Sequence, residues 1–205
     1  MVVAAIFLTH KSSPSTTTGA STRPTVTSSP PQRAGSQATQ PAAAPVFTLS
    51  TPATAGGYPK GSDPQFLAAA TTLAQGVVSA IKQGGDGTVH GAPVSASYQL
   101  GDAQTMEFVG YQGTFEPTKI AAGLKLVGSD PNTYPAGPHG GVLGCANTTA
   151  TPSGAVCIWS TTSTLGVVEF FDAQGPETLV TGQPKGASDT VKLRSGVETL
   201  KSVRS

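Results

Sequence analysis

Three histidines, two cysteines and eleven acids are the raw material for chemistry in this 205-residue chain. A Ser/His/Asp hydrolase would place His90 or His139 beside a nucleophilic serine, with an acid orienting the ring. His10 stands in an N-terminal tail. His90 lies just ahead of a strand, and His139 sits in the loop Gly137-Pro138-His139-Gly140-Gly141. No G-x-S-x-G elbow accompanies them. His139 is the least implausible candidate base, and a plain solvent-exposed loop histidine is the preferred reading. Paired carboxylates for glycoside hydrolysis would have to come from scattered acids such as Glu107, Glu169 and Asp172. Glu169 and Asp172 read more simply as the polar side and the end of a strand. Gly84-Gly85-Asp86-Gly87 lacks both the lysine and the strand-to-helix context of a phosphate loop. Trp159 would either line a ligand pocket or pack on a neighbouring disulfide. We assign no catalytic, cofactor-binding or metal-ligating residue, and no cofactor.

Cys145 and Cys157 are the only cysteines, separated by eleven residues rich in Thr, Ser, Pro and Gly. Each is flanked by apolar residues of strand type: Val142 and Leu143 before the first, Val156 and Ile158 around the second. Two strands joined by a turn at Pro152-Ser153-Gly154 would set the two cysteines opposite each other within bridging distance. A disulfide is expected. Zinc is not, because there is no CxxC and there are too few histidines for a four-ligand site.

The elements that must position these residues are legible in outline. Ser62-Asp63-Pro64 reads as a helix start, a capping oxygen followed by proline in the first turn. Phe66, Ala70, Leu73, Val77 and Ile81 recur on one helical face until Gly84-Gly85 ends it. Val94, Ala96, Tyr98 and Leu100 alternate with polar residues as a half-buried strand. Gly101-Asp102 turns the chain, and Met106 to Tyr111 is the antiparallel return. Pro117 opens a shorter helix carrying Ile120, Leu124 and Val127. A Gly/Pro-rich loop from Ser129 to Gly141 follows, then strands near 141–146, 155–160 and 165–172. Ser188-Asp189 reads as the cap of a last helix with Val191, Leu193, Val197 and Leu200 on its apolar side. The expected fold is α+β: about five antiparallel strands with helices packed on one face, in the order α-β-β-α-β-β-β-α.

Composition divides the chain. Charged residues are 11% of the total, against roughly 25% in ordinary globular proteins. No Asp or Glu occurs before Asp63. The net charge of +1 provides no field for nucleic acid or an acidic membrane, so no nucleic-acid partner is expected. Residues 2–8, Val-Val-Ala-Ala-Ile-Phe-Leu, are uniformly apolar but fall short of the about 20 residues that span a bilayer. We read residues 1–11 as the remnant of a transmembrane or signal segment whose beginning lies upstream of Met1. Residues 12–46 read as a disordered Ser/Thr/Pro-rich stalk, with too little apolar surface to offset the roughly 1–2 kcal/mol that ordering each backbone costs. Residues 47–205 remain as one extracytoplasmic α+β domain, introduced by a segment that packs Phe47, Leu49 and Tyr58 onto it.

Gly140-Gly141-Val-Leu-Gly-Cys145, Ala155-Val-Cys157-Ile-Trp159, Ser163-Thr-Leu-Gly-Val167 and the closing Leu193-Arg194-Ser-Gly-Val197-Glu198 together carry a resemblance. The pattern resembles a group of uncharacterised exported or membrane-anchored proteins of actinobacteria. These combine a single transmembrane helix, a Pro/Ser/Thr-rich linker and a small domain with a G-G-x-x-x-C…V-C-x-W motif. Thr51-Pro52 to Gly57-Tyr58 also fits, and the likeness covers roughly residues 47–203. Members often carry an acid just after the tryptophan, where this chain has Ser160, so no role for that acid transfers. The resemblance implies location and a disulfide, not an activity. The expected function is a non-catalytic extracytoplasmic module that binds or senses a component of the bacterial cell envelope. It would be held by its N-terminal anchor with the domain outside the cytoplasm, or secreted, and its partner would be an envelope component or a protein. The alternatives are a small cell-wall hydrolase or esterase using His139, and a structural spacer.

Overall fold

The computed structural model describes residues 44–61, 67–102, 104–122, 128–148, 154–172 and 181–201. Both N-terminal segments, residues 1–11 and all of 12–46 but its last three, lie outside them. So do the helix start at Ser62-Asp63-Pro64, Phe66, Leu124, Val127 and the turn at Pro152-Ser153. Among the described residues no helix is long and apolar enough to cross a membrane.

The described residues begin with three short strands, β1 (Phe47–Leu49), β2 (Thr54–Ala55) and β3 (Tyr58–Pro59). Helix α1 (Leu67–Gly84) follows, its buried stripe formed by Ala70, Ala74, Val77, Val78 and Ile81. Gly85, at φ 70°, stops it. The Asp86 amide donates to the Ile81 carbonyl and the Gly85 amide to that of Lys82, the paired bonds that close a helix on a left-handed glycine. Two long strands, β4 (Gly87–Gln99) and β5 (Gln104–Phe115), form a hairpin. Helix α2 (Pro117–Ala122) leads to β6 (Ser129–Tyr134), β7 (Val142–Asn147), β8 (Ala155–Ser160) and β9 (Thr164–Asp172). Helix α3 (Gln183–Val197) and β10 (Glu198–Leu200) close the domain.

The fold is mixed α+β around a six-stranded antiparallel sheet of order β4-β5-β9-β8-β7-β6. The sixth strand, against about five expected, is β6. Its residues, Ser-Asp-Pro-Asn-Thr-Tyr, read as loop because they are polar, yet they pair with β7 at the sheet edge, where a solvated strand is tolerated. The helices do not gather on one face. One side of the sheet buries Tyr98, Phe108, Trp159 and Phe170 against Leu193 and Val197 of α3. The other buries Val109, Ile158 and Val167 against α1 and Ile120 of α2. The cause is β8, in which every residue is buried; a central strand apolar on both sides needs cover on both.

Two local readings also shift. Helix α3 starts at Gly182–Gln183 with Pro184 in its first turn, so Ser188 and Asp189 lie inside it rather than at its cap. Asp189 is buried, accepting from the Tyr58 hydroxyl at 2.8 Å and from Lys185 Nζ at 2.6 Å. Burial, then that carboxylate, pushes the Tyr58 phenol well above its ordinary value. Leu200, expected on the apolar side of α3, is in β10 and 62% exposed. Phe47 is buried as expected, and β1 pairs with β10, so the lead-in and the C-terminus form one ribbon.

Candidate functional site

Cys145 and Cys157 are Cα partners in the β7–β8 ladder, 4.1 Å apart, and are joined by a disulfide. The bridge lies on the α3 side of the sheet in the same buried cluster as Trp159. The indole stacks on Phe108 at 5.4 Å between ring centroids. It has room because its cross-strand partner is Gly166, where a Cβ would fall 2.3 Å from the ring. Trp159 is thus packed in the core rather than lining a pocket.

His139 joins a buried polar network. The last turn of α3 supplies Arg194, and Glu198, four residues on, caps the helix and opens β10. Arg194 is 2% exposed and Glu198 1%. Arg194 Nε donates to Glu198 Oε2 at 2.6 Å, and His139 Nδ1 lies 2.9 Å from the same oxygen. The Thr164 hydroxyl donates to Glu198 Oε1. Thr164 Oγ1 is in turn 2.8 Å from Thr161 Oγ1, which is 3.3 Å from Ser163 Oγ. Arg194 Nη1 also donates to the carbonyls of Ala136 and Gly140 at 2.8 and 2.9 Å, tying the Gly/Pro loop to α3. Phe47 of β1 stacks on the imidazole at 5.0 Å, and its amide donates to Ser163 Oγ at 2.8 Å.

This arrangement has the hydrogen-bond geometry of a histidine beside an orienting acid. A carboxylate can only accept, so it fixes the histidine proton on Nδ1 and frees Nε2. The nucleophile half is missing among the described residues, where no serine, threonine or cysteine side chain is hydrogen-bonded to His139. Glu198 is moreover shared with a guanidinium. His90 is an exposed residue of β4, opposite Gln112. His90 and His139 are therefore not brought together, since β4 and the loop before β7 lie at opposite ends of the sheet, and His10 lies outside the described residues. Glu198 and Arg194 carry the network, and their only sequence signal is the i,i+4 spacing, which also describes any exposed helical ion pair.

The scattered acids behave differently from expectation. Glu107 and Glu169 are direct cross-strand partners of β5 and β9. Both lie on the α1 side, in phase with Val109 and Val167. Glu107 is fully buried. Burial, and then the Glu107 charge, push the Glu169 carboxyl up to about 7. Asp172 ends β9, with its backbone opposite Gln104.

A concavity lies elsewhere on that side. Between α1 and α2, over Ile158 of β8, is a cleft of about 330 Å³ lined mainly by Leu73, Val77, Ile81 and Ile120. Its wall is low at Gly76, around which there is nothing within 4 Å of where a Cβ would stand. Asp86 and Lys119 stand at its rim, 3.8 Å apart. The size is within the range of small-ligand sites.

In comparisons with known proteins, no family model, no curated protein and no solved structure matches the chain.

Proposed function

We propose that the chain is a non-catalytic extracytoplasmic module at the bacterial cell envelope that binds a small, mainly apolar molecule in the cleft between α1 and α2. The cleft carries this reading. Its walls are apolar, its volume suits a compact ligand, and Lys119 and Asp86 offer one polar contact at the mouth. In this reading residues 1–11 belong to a membrane anchor or signal segment, 12–46 to a stalk, and 47–205 to the exported domain. What supports the placement is the disulfide, since such bonds persist in oxidising compartments and are rare in the cytosol of mesophiles. A long-chain fatty acid with a fluorescent polyene tail is the direct probe. Saturable binding that Gly76→Leu abolishes, without lowering the melting temperature, is the expected outcome. Binding unchanged in Gly76→Leu would refute the site. Recovery of the protein from the envelope fraction with both thiols oxidised would agree with the placement; free thiols there would overturn it.

A second reading, a small hydrolase or esterase using His139, is favoured by the carboxylate on Nδ1. The sharing of Glu198 with Arg194 and Thr164 speaks for a locking role instead. Ester hydrolysis by the purified chain that disappears in His139→Ala would reverse that preference.

A further inference from the structure

We infer, resting on the reading of the α1–α2 cleft as a binding site, that its ligand is an amphiphile whose apolar body ends in a protonated amine held by Asp86. Leu73, Val77, Ile81 and Ile120 line the interior. They select the body of a ligand and say nothing of its end. The end is selected by the charges at the mouth.

Among the described residues, two carboxylates stand there for one ammonium. Asp86, just past the glycine stop of α1, lines the cleft, as does Lys119 of α2. Glu116 precedes α2, and its amide donates to the Asp86 carbonyl at 2.9 Å, which fixes the two segments side by side. Lys119 Nζ lies 2.9 Å from Glu116 Oε2 but 3.8 Å from Asp86 Oδ1. Its ammonium is thus held by Glu116, and that hydrogen bond raises its pKa above the ordinary lysine value. Lys82, in the last turn of α1, lies on the side of the helix opposite Leu73 and so points away from the cleft. Asp86 is left as the under-compensated charge that faces the ligand.

The seat of that carboxylate is a second observation. A Cβ at Gly84 would fall 2.6 Å from Asp86 Oδ2, so the carboxylate folds back over the last residue of α1 into space that a side chain there would take. The C-terminal end of a helix carries partial negative charge and favours cations. A carboxylate laid against it is repelled, and an ammonium at the mouth would offset both. An incoming carboxylate would have to draw Lys119 from Glu116 and would still meet Asp86 beside it. An alcohol would leave the charge as it is. A protonated primary amine brings the opposite charge and three donors, while its tail enters the apolar interior.

The test is competition at pH 7.5 on the full chain with its disulfide intact, with the fluorescent fatty acid as reporter. Decylamine, decanol and decanoate share one tail and differ only at the end. Decylamine is expected to displace the reporter at a concentration roughly tenfold below decanoate, because the same charge attracts one and repels the other, with decanol between them. Asp86→Asn should bring amine and carboxylate together and leave decanol unchanged. Gly84→Ala keeps the charge but pushes the carboxylate off its seat, so it should narrow the preference without abolishing it. Equal displacement by decylamine and decanoate in the unaltered chain, with binding still lost in Gly76→Leu, would overturn the amine and leave the cleft standing. Displacement by all three that Gly76→Leu does not touch would remove the cleft reading and the amine with it. An amine preference of full size in Asp86→Asn would overturn the role of that carboxylate.

Discussion

At the scale of single residues, the determining feature is charge placed where water is not. Glu198 and Arg194 are both buried and bonded to each other. Removing one partner strands the other, which typically costs about 3–5 kcal/mol for a buried pair. Arg194→Met keeps the bulk and loses the charge, so it should lower the unfolding free energy by that amount, read as a lower urea midpoint at unchanged slope, and the double variant Arg194→Met/Glu198→Gln should recover much of it. Glu169 makes an opposite prediction in pH. Its folded value of about 7 lies above the ordinary carboxylate value of 4.5. The folded state therefore binds a proton that the unfolded chain releases between those values. The associated stability is fully present below pH 4.5 and lost as the pH rises through 7, a change on the order of 3 kcal/mol. Melting curves in EDTA at pH 5 and pH 8 should show the fall, and Glu169→Gln should flatten it. None of this was legible in the letters. Glu198 reads as one half of a surface helical pair, and Glu169 as the wet side of a strand.

At the scale of elements, local pattern served well wherever the element is amphipathic. Ala70, Val77 and Ile81 of the stripe that the spacing of α1 predicts are buried, joined by Ala74 and Val78, while Leu73 is half-buried; the glycine that ends the helix does so through φ. The hairpin β7–β8 places its two cysteines in register, as flanking strand residues and an intervening turn require. The chain-entropy account assigns about 3 kcal/mol to closing a loop of this size, so Cys145→Ala/Cys157→Ala should lose about that much unfolding free energy and unfold at a lower denaturant concentration. A midpoint unmoved by the double substitution would show the bridge to be incidental. Pattern misled where an element is polar or apolar throughout. Strand β6 has no alternation to read. Strand β8, buried on both sides, shows a run that cannot say which face meets a helix.

At the scale of the whole molecule, the long-range pairings decide what meets what. Strand β9 inserts beside β5, joining the first hairpin to the later meander and setting Glu169 against Glu107. The β1–β10 ribbon brings the domain's two ends together and lays Phe47 over His139. Deleting residues 44–50 removes that ribbon strand and an aromatic side chain that is 5% exposed. Losing a buried phenylalanine costs about 3–5 kcal/mol, which for a domain of this size corresponds to a melting temperature lower by about 10 °C. Calorimetry of the shortened chain checks this, and the His139 imidazole resonances should move with it.

What the amino-acid order determined alone is what depends on neighbours in the chain: the stripe and stop of α1, the alternation of β5, and the facing cysteines twelve positions apart. Tertiary structure decided everything that needs partners distant in sequence. His139 reaches Glu198 across 59 positions, and the two glutamates meet only because β9 pairs with β5 rather than with β6. Periodicity records which side of an element is apolar. It does not record which other element covers that side, because burial against any apolar partner is nearly equally favourable, and the choice falls to the packing of the whole.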